Sequence, residues 1–65
     1  MKIIHQIVIT QNIRACLIEE GFGFTVILWG INGRKPIRWF NGQDKTRALD
    51  YLEKVAKELK DGIAA

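Results

Sequence analysis

The chain is short of the residues that staple or punctuate a small fold. Its 65 residues include one cysteine (Cys16), one proline (Pro36) and one histidine (His5). A single thiol excludes an internal disulfide, and one Cys with one His cannot build a structural zinc site. Long apolar runs are missing too. The longest stretch, from Phe22 to Ile31, is interrupted by Gly23, Thr25 and Gly30 and is far too short to cross a bilayer. His5, Gln6 and Thr10 break the first apolar segment, which therefore does not read as an export signal, and a cytoplasmic setting with a reduced thiol is the expectation. Acidic residues are absent between Glu20 and Asp44, whereas Arg34, Lys35 and Arg38 fall within five positions of one another there.

Against these absences stands a hydrophobic content of 48 % in a 7.4 kDa chain of net charge +3, which excludes disorder and allows one domain, residues 1–65. Burial on folding contributes about 100 kcal/mol, and ordering the chain costs about the same. With no staple to tip that balance, self-association is expected, as a homodimer packed sheet to sheet.

Two hydrophobic periods divide the chain. Period two governs the first forty residues and predicts strands over about 2–10, 13–20, 24–31 and 36–40. Gln11-Asn12, Gly21-Phe22-Gly23 and Asn32-Gly33 supply the reversals, the last being the strongest hairpin signal. A polar break at Asn41–Asp44 comes next, in which Asp44 or Asn41 can cap a helix. The period then becomes 3.6 and predicts that helix over about 45–61, ended by Gly62. Ala48, Leu49, Leu52, Val55, Ala56, Leu59 and Ile63 share one stripe, with Tyr51 at its margin and charged residues opposite. The fold class expected is α+β: a three- to four-stranded antiparallel β-meander followed by one C-terminal α-helix packed on one face of the sheet.

One amphipathic helix covers one face of a sheet, and here both faces are apolar. A hairpin centred on Asn32-Gly33 sets Trp29 opposite Pro36, Ile27 opposite Arg38, and Thr25 opposite Phe40. It assigns Phe24, Val26, Leu28, Ile37 and Trp39 to the helix side, and Thr25, Ile27, Trp29, Ile31, Arg34, Pro36, Arg38 and Phe40 to the other. Trp29 and Phe40 would then stack on unpaired bases while Arg34 and Arg38 take phosphate oxygens. Lys35, Lys45 and Arg47, beside the amides of the helix start, would extend a phosphate-binding surface.

Strands followed by one helix is an order that resembles plant ethylene-response-type DNA-binding domains, the arm-binding domains of phage integrases and single-strand-binding coactivator domains. The resemblance covers element order alone, with no shared motif residue, and implies nucleic-acid binding. Enzymatic chemistry is not expected, nor is a cofactor. His5, with Glu19 or Glu20 across from it, reads as a structural pair, Cys16 as a small buried hydrophobe, and the helix carboxylates as partners of nearby bases. The reading is a non-catalytic binding module, a homodimer that contacts nucleic acid, single-stranded by preference. Its alternative is a protein–protein module, a small regulator, inhibitor or assembly subunit, using the same apolar face.

Overall fold

The computed structural model describes residues 2–64. Four strands form where Ile, Val and aromatic residues are densest: β1 (Lys2–Thr10), β2 (Ile13–Glu20), β3 (Gly23–Gly30) and β4 (Gly33–Asn41). They pair antiparallel in chain order, so that β1 and β4 are the sheet's edges. A single helix, α1 (Lys45–Ala64), comes after them and packs across one face, giving the α+β meander-plus-helix architecture that the two periods predict.

Each reversal uses two residues. At Gln11–Asn12 the Asn12 amide donates to Thr10 Oγ1 (3.1 Å). Gly21, at the first position of the next turn, has φ 60° while Phe22 keeps a negative φ, the arrangement of a type II′ turn. The third turn falls on Ile31–Asn32 rather than Asn32-Gly33, because Gly33 takes its positive φ of 105° as the first residue of β4. β4 therefore begins three residues earlier than the sequence pattern indicates, and its register moves with it. Trp29 faces Arg34, Leu28 faces Lys35, and Ile27 faces Pro36. One residue, Ile37, is then inserted as a bulge, after which Val26 faces Arg38, Thr25 faces Trp39 and Phe24 faces Phe40. Pro36 thus sits on an edge strand next to a bulge, where a missing donor is tolerated.

At the other end of β4 the chain enters α1 through a tight polar turn. Gly42 N–H donates to the Phe22 carbonyl (2.9 Å) and Gln43 N–H to Asn41 Oδ1 (3.1 Å). Asp44 holds the N-cap position, its carbonyl accepting the first helical bond from Ala48 N–H (2.9 Å). Asn41, the competing cap, instead shapes the turn one step earlier. The helix does not stop at Gly62 but runs to Ala64. Gly62 lacks the positive φ of a glycine terminator, and glycine costs least in a last, fraying turn.

Ala15, Leu17, Phe24, Val26 and Phe40 meet Ala48, Leu52 and Ala56 in the main core, with Ile4, Ile7, Ile9, Leu28, Leu49 and Tyr51 around it. The alanines at 48 and 56 bring the helix close to the sheet, and Leu52 between them is fully buried. The result is a slab of 36 × 22 × 15 Å with 4672 Å² of surface, above the roughly 4,200 Å² that mass scaling gives. The excess belongs to a sheet with a helix on one side only. Leu52→Ala removes the central contact and is expected to cost about 2–5 kcal/mol, seen as loss of a cooperative urea transition at 25 °C.

Candidate functional site

The face away from α1 has three cross-strand rows that span all four strands, with Glu20, Gly23 and Asn41 in a shorter row beyond them. Val8, Arg14, Trp29 and Arg34 form the row nearest the hairpin tips; Gln6, Cys16, Ile27 and Pro36 form the second; Ile3, Ile18, Thr25 and Trp39 form the third. Cys16, Ile18 and Ile27 are buried here although no helix lies over them, with Trp29 packed against them. This face therefore carries a small second core, closed by its own neighbours. The exposed apolar area lies around that core, at Ile3, Val8 and above all Trp39, which is 54 % exposed.

Two arginines are drawn to Trp29 by the register. Strand β2 delivers Arg14 from one side and β4 delivers Arg34 from the other, with guanidinium carbons 5.9 and 5.6 Å from the ring centroid. Both cations lie over an aromatic ring, a contact worth about 0.5–1 kcal/mol when exposed. Beside this row a hollow of about 490 Å³ opens between Ile18, Thr25, Ile27, Arg34 and Pro36, with Glu20 the acidic residue at its border. At the far end Trp39 lies over Gly23, whose missing side chain makes room for the indole. The two tryptophans are two rows apart on adjacent strands, about 13–14 Å by strand geometry.

The remaining cations stand on the helix side. The bulge at Ile37 turns Arg38 and Phe40 toward α1 and Trp39 toward the open face, reversing the faces that an unbulged strand gives these three residues. Phe40 is accordingly only 6 % exposed and meets the Tyr51 ring at 5.5 Å, so it cannot stack on a base. The Arg38 guanidinium lies 4.7 Å from the Phe40 ring centroid and 5.3 Å from that of Tyr51. It borders a cleft of about 300 Å³ with Arg47, Asp50 and Lys54. Lys45 is exposed at the start of α1, and Lys35 lies at the hairpin tip on the helix side.

Two anticipated juxtapositions do not form. The Arg34–Lys35 tip and the start of α1 lie at opposite ends of β4, about 23 Å apart at the usual rise per residue, and so do not share one phosphate pocket. His5 faces Leu17 rather than Glu19 or Glu20; the residue opposite Glu19 is Lys2. Conversely, sequence reasoning passed over Arg14 and Trp39. Arg14 lies in a strand whose register to β3 no side-chain pattern announces, and Trp39 is hidden by the bulge. No group of His, Cys, Asp and Glu among the described residues is placed to hold a metal ion, and no helix among them is long and apolar enough to cross a membrane.

Cys16 is buried in the second core, and burial pushes its thiol pKa above the ordinary 9.0, with the Arg14 charge opposing in part. The folded chain keeps this proton to higher pH than the unfolded chain does. The associated stability is complete below pH 9.0 and is lost as pH rises through the raised native value. Comparison with protein-family models, curated proteins and solved structures finds no match for this chain.

Two outcomes are expected from these contacts. In Gly23→Ala the new methyl meets the Trp39 ring and the Phe40 carbonyl. The variant should lose about 1–3 kcal/mol in urea unfolding and show altered tryptophan emission. Urea midpoints between about pH 8 and 10 should decline for the native chain and less steeply for Cys16→Ala. Parallel declines would place that pH dependence elsewhere.

Proposed function

We propose that this chain is a non-catalytic module that takes single-stranded nucleic acid on its open sheet face. The observation that carries this reading is the first row of that face, where Trp29 lies between Arg14 and Arg34 with Trp39 exposed farther along the same surface. Unpaired bases stack on an exposed indole such as Trp39 whatever their identity, and the guanidinium groups held over Trp29 supply cations to the phosphodiester oxygens of the same strand. An open sheet face favours splayed single strands over duplex, whose bases are already stacked. The cations along β4 and α1 (Lys35, Arg38, Lys45 and Arg47) supply long-range attraction, and a pI near 9.4 agrees with an anionic partner.

Protein is the alternative occupant of this face, either a second copy laid sheet to sheet or a different chain. It is favoured by the apolar side chains at Ile3, Val8 and Trp39. Salt separates the two. Displaced counterions make nucleic-acid affinity fall with a slope of about 0.7 per phosphate contact for single strands, whereas an apolar protein contact is nearly insensitive.

The test is titration of fluorescent single- and double-stranded oligonucleotides at two salt concentrations. Native protein should prefer the single strand. Arg14→Ala/Arg34→Ala should lower both affinity and salt slope, and Trp39→Ala should weaken binding by about 5- to 150-fold, the range of one lost base stack. Phe40 is buried, and Arg38→Ala should reduce affinity far less than the Arg14/Arg34 pair. Absence of binding at low salt, or equal binding by the double variant, rejects the proposal.

A further inference from the structure

The two edges of the sheet are not guarded alike. β4 carries Arg34, Lys35 and Arg38, the single proline, and the inserted Ile37. These are the devices that keep an edge strand from pairing with another chain. β1, at the opposite edge, reads Lys-Ile-Ile-His-Gln-Ile-Val-Ile-Thr, without proline and with no charged side chain after Lys2 other than the titratable His5. Its Ile and Val residues are strong strand formers. β1 has irregularities of its own, between Ile3 and His5 and between Val8 and Thr10. These fall toward the strand's ends and leave His5, Gln6, Ile7 and Val8 as a regular run along the open edge, whereas Ile37 interrupts the middle of β4. Ile3 is 44 % and Val8 57 % exposed beside it.

We propose that β1 pairs antiparallel with β1 of a second copy across His5–Val8, joining two four-stranded sheets into one of eight strands. The occupant is argued from charge and symmetry. Pairing β1 with another copy's β4 would bring Arg34, Lys35 and Arg38 to a strand with no acid to receive them, and Pro36 offers no donor. Pairing β1 with β1 requires a two-fold axis perpendicular to the sheet, because paired residues must lie on the same face. Either Gln6 then stands opposite its own copy, with His5 opposite Ile7, or Ile7 does, with Gln6 opposite Val8. In both registers the cross-strand pairs join apolar, amide and imidazole groups without like charges in contact. The shared ladder is short, so the dimer is of the weak, reversible kind found at the small end of interface sizes.

This axis keeps both helices on one side and both Arg14–Trp29–Arg34 rows on the other. The pairing stands independently of what those rows bind, although under the nucleic-acid reading it doubles the stacking surface without covering it. It differs from a sheet-to-sheet dimer, which would occlude Trp29 and Trp39.

Sedimentation velocity of the full chain over a concentration series, with amide exchange followed by NMR, tests it. The expected result is concentration-dependent dimerisation in which β1 amides directed away from β2 gain protection as dimer forms. Gln6 is exposed, so Gln6→Lys and Gln6→Glu should each retain the native circular dichroism while weakening the dimer by about fivefold, and an equimolar mixture should restore it. Trp39→Ala should leave dimerisation unchanged. A 7.4 kDa species at every concentration overturns the proposal. So does a dimer that Trp39→Ala abolishes while β1 amides stay unprotected. Oligonucleotide binding is read separately, so loss of either proposal leaves the other standing.

Discussion

Side chains in a strand alternate, so one residue more or less in a ladder exchanges everything beyond it between the two faces of a sheet. In this chain that constraint acts at Ile37. The residue is inserted between Pro36 and Arg38, the partners of Ile27 and Val26, and the rest of β4 is set by its presence. Phe40 becomes a core residue under α1, Arg38 a cation on two rings at the helix margin, and Trp39 an exposed indole on the far side. Without the extra residue the main core would lose its Phe40–Tyr51 contact and Trp39 would point at the helix.

The sheet consequently serves two purposes through one backbone. Its helix side closes over apolar residues from all four strands and holds most of the folding energy. Its other side closes over a smaller set, Cys16, Ile18 and Ile27 with Thr25 beside them, then turns to aromatic and cationic groups that water still reaches. Burial of Cys16, Ile18 and Ile27 without a partner also alters the question of cover. A second copy on that face is not needed to shield its centre, and β1, with its regular His5–Val8 run, is the less guarded of the sheet's two edges.

Much of this was legible from residue order. Ile and Val density, the glycine turns and the 3.6 period from Thr46 define four strands and a helix at nearly their observed limits. The alternation of Phe24, Val26 and Leu28 against Thr25, Ile27 and Trp29 places β3 correctly on both faces. What could not be read was pairing. Asn32-Gly33 looks like the turn, yet Gly33 takes its positive φ inside the strand, and a bulge leaves no signature in side-chain alternation because it breaks that alternation. Faces differ from the alternation pattern only beyond the bulge: Arg38, Trp39 and Phe40 change sides, while Trp29, Arg34 and Pro36 do not. Arg14 was missed for a related reason, since its relation to Trp29 exists only through the β2–β3 register.

The two clusters of buried residues share strands but not side chains. Energetic effects of changes in groups without common partners are close to additive. Substitutions among Thr25, Trp29, Arg14 and Arg34 are thus largely insulated from Leu52, Phe40 and the alanines of α1. Changes on one face therefore alter the packing of the other only weakly, although both faces contribute to folding. It is a small scaffold in which a single layer of backbone supports two nearly independent sets of side chains.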